Sequence, residues 1–147
     1  MDPEPLELCT FLVDDLHLGV DADLVQEVVR HQAITPVPLA LPEIAGLLNL
    51  RGQVVTAIDL RGRLGLPPRP DGQSPLHLIV RGARDPASLL VDRISDVLAC
   101  SPDELEPPPT TVDETVRGFL GGVCTRPERL LLLLDLPRVL AMGAQAG

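Results

Sequence analysis

The chain has 147 residues, a hydrophobic share of 45% and a net charge of −9. This fits one globular domain and argues against nucleic acid or an anionic membrane as partner, since both select basic surfaces. All 12 basic residues are arginine, which excludes a Walker-type phosphate loop and Schiff-base chemistry, and the two aromatics, Phe11 and Phe119, leave no platform for stacking on bases.

Residues 6–20 alternate as a β-hairpin that turns at Asp14-Asp15. Asp21 to Asp23 predicts a polar break or a single helical turn, and Leu24 to Arg30 fits a strand and a short helix equally. Pro36, Pro38 and Pro42 keep the next stretch extended, and Ile44 to Leu50 leads into the most informative run, residues 49–67. There Gly52 suits a turn of positive φ, and Val54 to Ile58 reads as a buried strand. Asp59 is placed to cap a short helix carrying Leu60 and Leu64 on one face, stopped by Gly65 and Pro67. Residues 67–75 form a surface loop. Leu76 to Val80 and Ser88 to Val91 read as strands joined by a polar segment, and Ile94 to Cys100 as a further strand. Ser101-Pro102-Asp103-Glu104 has the spacing of a capping box. Val116 to Cys124 and Arg129 to Leu134 read as a last strand pair. Asp135 then caps a helix from Leu136 to Met142 that ends at Gly143.

The halves echo each other. Val54 to Ile58 followed by Asp59-Leu60 and Leu64 parallels Leu130 to Leu134 followed by Asp135-Leu136 and Leu140, each after a Gly-x-Leu segment, at Gly46 and at Gly118. On the residues alone, an internal duplication and two unrelated strand-to-helix joints fit equally well. Short strands with frequent turn residues favour small barrels over a doubly wound sheet.

Catalytic chemistry finds little support. His17, His31 and His77 are isolated, and Cys9, Cys100 and Cys124 are far apart, without a CxxC pair, as inert core thiols of a reducing cytoplasm would be. No His pair has zinc-site spacing, and none of the four serines lies in Gly-x-Ser-x-Gly. The acidic groups Asp14/Asp15, Asp21/Asp23, Asp103/Glu104/Glu106 and Asp113/Glu114 fall in turns, where solvated charges are common. The longest leucine run, Leu130 to Leu134, is far short of a membrane span, and the acidic N-terminus lacks the basic region of a signal peptide. Two charges stand out instead. Glu27 lies between Val25 and Val28, and Arg51 sits on the turn before a buried strand. A charge inside an apolar pattern marks a groove rim, an ion pair or a simple solvent-facing site.

Asn49-Leu50-Arg51-Gly52, an apolar strand and then Asp59-Leu60-Arg61 resemble the motif of CheW-like coupling proteins of bacterial chemosensory systems. Val25-Gln26-Glu27-Val28, Leu90 to Leu98 and Gly118-Phe119-Leu120-Gly121 follow in that family's order, so that the resemblance covers about residues 8–142. It implies an all-β fold with short helices: two SH3-like five-stranded β-barrel subdomains packed around a groove, and a short C-terminal helix. Residues 6–142 would be one domain, with 1–5 and 143–147 as flexible termini. It implies a non-enzymatic scaffold without cofactor or metal, cytoplasmic and associated with chemosensory arrays. Its partners would be the cytoplasmic tip of a chemoreceptor and the regulatory domain of the histidine kinase CheA. Glu27 and Arg51 carry over as the charges of the receptor-binding groove, with Val25, Val28 and Leu50 as its apolar contacts and Asn49 shaping the turn; Gly52, Asp59 and Asp135 are structural.

Three positions depart from the family pattern: Leu18, where an aromatic is frequent, Ser88, where Gly is common, and Pro86 in the 81–87 loop, which is expected to weaken a hairpin end. They concern the faces that would meet the kinase or another coupling protein. A receptor-binding member that self-associates without the kinase is therefore the alternative, a peptide-binding barrel outside chemosensing a second, and a Cys or His hydrolase a third.

Overall fold

The computed structural model describes residues 4–30, 32–38 and 41–146. Strands β1 (Leu6–Val13) and β2 (Leu16–Asp21) form the expected hairpin around Asp14. Ala22–Leu24 is a single 3-10 turn, capped by the Asp21 carboxylate on the Asp23 N–H, and Val25–Arg30 is strand β3. Next come β4 (Ile44–Leu50), β5 (Gln53–Asp59) and helix α1 (Leu60–Arg63), where Asp59 accepts from the Arg61 N–H as the sequence predicts. The second half holds β6 (Leu76–Arg81), β7 (Pro86–Val91), β8 (Arg93–Cys100), β9 (Leu105–Glu106), α2 (Glu114–Arg117), β10 (Leu120–Thr125), β11 (Leu130–Leu134) and α3 (Leu136–Ala146).

The strands form two sheets, of order β8-β1-β2-β11-β10-β9 and β3-β6-β7-β5-β4. The fold is thus all-β with short helices in two β subdomains; β9, a strand of two residues, brings one sheet to six strands instead of the expected five. Each half of the chain lends its hairpin to the other half's sheet. β1-β2 pair with the late strands β8 and β11, whereas β6-β7 pair with the early strands β3 and β5. This reciprocal exchange interlocks the subdomains, and the main core runs through both: Phe11, Leu18 and Val20 pack with Leu60, Leu78, Leu89, Leu132 and Val139. Removing Leu, Val and Phe side chains from water, at roughly 1.5–3 kcal/mol each, supplies most of the stabilisation in a core with so few aromatics.

Some sequence expectations shift. Val116 and Arg117 belong to a helical turn, not to a strand, because the Asp113 carboxylate accepts from the Thr115 N–H (2.9 Å) and starts a helix there. The duplication is present in the topology, but Gly118 is not the counterpart of Gly46. Pairing of β4 with β5 slips between Ile44 and Gly46, and pairing of β10 with β11 slips between Leu120 and Gly122, so Gly122 corresponds to Gly46. Gly46 has φ 149°, and a Cβ there would stand 2.3 Å from the Thr35 carbonyl oxygen, so this bulge requires glycine. Helix α3 continues through Gly143 to Ala146, past the expected stop. Pro86 does not open the β6–β7 hairpin. It is the first residue of its strand, where a missing N–H is tolerated, and the Gly82 N–H closes the turn on the Asp85 carbonyl. Of the three histidines, His31 lies outside the described residues, as do the expected flexible ends at 1–3 and 147.

Candidate functional site

The site is built from the β4–β5 hairpin and strand β3. Leu50 pairs with Gln53, which leaves Arg51 and Gly52 as a two-residue loop, and both have positive φ, 51° and 83°. This is the type I′ pattern, whose twist matches a hairpin and which favours Asn, Asp or Gly at its first position. Arginine there is unusual, with a backbone penalty of about 1–2 kcal/mol in the left-handed region. The Asn49 side-chain oxygen accepts from the Gly52 N–H (3.0 Å) and holds the loop. Arg51 Nη2 reaches across to donate to Glu27 Oε2. The Arg51 side chain is 72% exposed and Glu27 29%, so one face of the guanidinium stays open to solvent.

A bulge in β3 sorts the remaining residues. Pairing with β6 slips between Val25 and Glu27, so that Val25, Val28 and Arg30 oppose Val80, Leu78 and Leu76, while Glu27 opposes Ile79. Directly opposed residues share a sheet face. Glu27 therefore projects from the face opposite to Val28. Leu50 packs near the small cluster of Leu48, Val55, Ala57 and Leu90. Val25 packs against the main core. Val28, 43% exposed, opens instead into a groove of about 520 Å³ between the subdomains, lined by Val28, Arg30, Leu76, Arg93 and Ile94. The six expected site residues are thus divided. Glu27, Arg51 and Asn49 assemble at the hairpin tip, Leu50 lies beneath them, Val28 lines the neighbouring groove, and Val25 supports from inside. Val54, 62% exposed and cross-strand from Asn49, adds an apolar side chain at the tip that the sequence assigns to the core.

A second group of charges holds the subdomains in register. Arg61 on α1, 5% exposed, donates from Nε (3.3 Å) and Nη2 (2.7 Å) to the two Asp92 oxygens, and from Nη1 to the carbonyls of Pro67 (3.0 Å) and Pro68 (3.3 Å). Asp92 also accepts from Arg69 Nε (3.1 Å) and from the Asp14 N–H (2.7 Å). Arg69 Nη2 stands 3.6 Å from Asp59, an ion pair too long for a hydrogen bond. Asp92 is the residue at which the chain crosses from one sheet to the other, and Asp14 is the tip of the β1–β2 hairpin. Burial pushes the Asp92 carboxyl up, but the hydrogen bonds from Arg61, Asp14 and Arg69 outweigh it and hold it below the usual carboxylate range. Asp14 joins this network through its backbone N–H, while its carboxylate stays exposed at the turn, 3.9 Å from Arg61 Nη1. Asp92 carries a signal like that of Glu27, a charge at the end of the apolar run Leu89-Leu90-Val91, whereas Arg61, between Asp59-Leu60 and Gly62-Arg63, interrupts none.

The cysteines and His77 are enclosed, whereas His17 is half-buried and its Nε2 has no hydrogen-bond partner among the described residues. All three cysteines are buried; burial pushes the Cys100 thiol up to about 12, and its Sγ lies 2.9 Å from that of Cys124. His77 is buried with Nδ1 3.0 Å from the Ser88 hydroxyl, so the serine at the position where the resemblance favours glycine has a partner. No group of three or more potential metal ligands and no helix long and apolar enough to cross a membrane occurs among the described residues.

Two interlocked β subdomains, with their unusual chemistry at a hairpin tip and along an open groove, define a small β scaffold that presents surfaces. The CheW-like domain model matches residues 7–143. The chain is 30% identical over 133 residues to the chemotaxis protein CheW of Rhizobium meliloti, covering 90% of this chain and 86% of that protein. It is likewise 30% identical over 135 residues to the CheW of Bacillus subtilis, covering 91% and 86%. The crystal structure of the scaffolding protein TtCheW from Thermoanaerobacter tengcongensis matches with a TM-score of 0.83 at 28% identity, over 92% of each chain. The chain belongs to the CheW-like family.

Proposed function

We propose that this protein is a non-enzymatic cytoplasmic scaffold that binds the cytoplasmic tip of a chemoreceptor and couples it to the regulatory domain of the histidine kinase CheA. The observation that carries the reading is Arg51: an arginine kept in a left-handed turn position, paired with Glu27 and largely open to solvent. An exposed ion pair contributes only about 0–1 kcal/mol to a fold. That does not exceed the backbone penalty of the residue that makes it, so stability does not account for the arginine. A strained residue that gives the fold no net gain is what a recognition site contains. With Glu27 fixing one edge of its planar fork, the guanidinium offers its remaining donors to a carboxylate or carbonyl on the partner. Coupling then arises from unequal affinity for the receptor's signalling states, without turnover. The test is to titrate the purified chain separately with a receptor-tip fragment from the same genome and with the kinase's regulatory domain. Binding to both is expected. Binding to the tip alone would support the member that omits the kinase, and binding to neither would refute the coupling role.

A further inference from the structure

Two thiols that take no part in the proposed recognition lie against each other. Cys100 Sγ stands 2.9 Å from Cys124 Sγ, closer than the roughly 3.5–4.0 Å at which non-bonded carbon atoms settle. Both residues are fully buried, in a small cluster with Leu8 and Leu131 that is separate from the main core holding Cys9. A disulfide has its sulfurs about 2.05 Å apart, so closing this pair takes an approach of about 1 Å. The two strands concerned are not neighbours in the sheet. β8 is one edge of the order β8-β1-β2-β11-β10-β9, and β10 is screened from the other edge only by the two residues of β9. The sheet curls until these two ends meet at the cysteines. Polar contacts beside them fix the seam: Arg126, next after β10, donates to the Ala99 carbonyl on β8 and to Glu104 Oε2 (2.9 Å), and Glu104 Oε1 accepts from the Ser101 N–H (2.8 Å). Leu105 of β9 lies cross-strand from Cys124 and packs on the same cluster, and β9 pairs with β10 at two positions. Separation of so short an edge strand is a local opening that uncovers Cys124. While the seam is closed, burial pushes the Cys100 thiol up to about 12 and keeps it protonated, so its chemistry proceeds from the opened form.

We propose that Cys100 and Cys124 are a redox modification site, which a low-molecular-weight disulfide such as oxidised glutathione converts to an internal disulfide that closes the six-stranded sheet into a ring. One cysteine, as thiolate in the opened form, attacks a sulfur of the small disulfide and expels one thiolate. The other cysteine, also as thiolate, attacks the protein-bound sulfur of the mixed disulfide and expels the second. The two cysteine protons end on the two released thiols, and the two electrons reduce the small disulfide. In a reducing compartment both cysteines stay thiols until such disulfides accumulate. The bond spans 24 positions, from the end of β8 to β10, and so removes chain entropy from the unfolded state. Cys9 has no sulfur partner among the described residues and remains a thiol. The site does not depend on the coupling role proposed above.

The test uses the full, reduced wild-type chain in a buffer of reduced and oxidised glutathione. It is run once from the folded protein and once from the urea-unfolded chain diluted into native conditions, which removes access to the buried pair as a limit. Both directions are expected to give a Cys100–Cys124 link by peptide mapping, a mass lower by two hydrogens and Cys9 as the one thiol that labels after denaturation. The linked protein is expected to melt about 10 °C higher, and dithiothreitol to reverse the gain. All three cysteines still free from both directions overturns the proposal. So does a stable glutathione adduct on Cys100 or Cys124, a disulfide that includes Cys9, or a link between chains. A linked protein that melts lower than the reduced one also overturns it, since the bond would then distort the sheet it is meant to close.

Discussion

Asp92→Ala tests the interlocked architecture most severely. The substitution deletes the acceptor of two Arg61 hydrogen bonds, one Arg69 hydrogen bond and the Asp14 N–H, at side chains that are 6% exposed for Arg61 and 12% for Asp92. Arg61 is left buried with two proline carbonyls and with Asp14 at 3.9 Å. Stranding a buried charge in this way costs about 3–5 kcal/mol. Against a total stability of about 5–15 kcal/mol for a domain, that is a large share. For a chain of this length it corresponds to a drop in melting temperature of roughly 6–20 °C. Arg61→Met is expected to cost less, because Asp92 keeps Arg69 and the Asp14 N–H. The double variant is expected to be more stable than the sum of the two losses implies, by about 2 kcal/mol, since removing both charges strands neither. Urea unfolding of the four proteins measures this. A loss below about 1 kcal/mol for Asp92→Ala, or strict additivity, would refute the network as the clasp between subdomains.

Acid should weaken the fold in two stages. Burial, reinforced by Arg69, lowers the His77 pKa, so as pH falls below the ordinary histidine value of about 6.5 the unfolded chain takes up the proton first. The stability that neutral His77 contributes is complete above that value and is lost as pH falls toward its folded value; His77→Gln should flatten this part of a stability–pH curve, and an unchanged slope would count against it. Asp92, held low in the folded state, adds a further loss below about pH 4, which Asp92→Ala should abolish. The three thiols should resist Ellman's reagent in the native protein and react on unfolding, because all are buried and Cys100 is pushed up to about 12. Rapid native labelling of one of them would revive a thiol-dependent activity.

Much of this fold is legible in the residues because its local signals are strong. The Asp59 and Asp135 caps, the alternation of residues 6–20 and the asparagine-braced turn at Gly52 each act within a few residues, and each has its expected partner in the structure. The charges at Glu27 and Arg51 are visible because they interrupt apolar runs, and the structure brings them together. Pairing register is not visible in the same way. The bulges at Ala45, Gly121 and Gln26 each insert one residue, and that single residue decides which glycines correspond and which face of β3 Glu27 and Val28 occupy. The hairpin exchange between sheets is also hidden, since β1-β2 would read identically in either sheet. Asp92 ends an apolar run and is open to the same argument as Glu27, but Arg61 stands among Asp59, Gly62 and Arg63 and is not. Their partnership spans 31 positions and forms only after the exchange brings α1 against the β7–β8 crossing.

The central claim concerns Arg51, and Arg51→Asn separates its two roles. Asparagine suits the left-handed turn position, so the fold should be unchanged or stabilised by up to about 1 kcal/mol, the relieved backbone penalty offsetting the lost exposed ion pair. Calorimetric titration with the chemoreceptor tip should show affinity falling tenfold or more in this variant. Wild-type tip affinity in a folded Arg51→Asn protein would contradict the account.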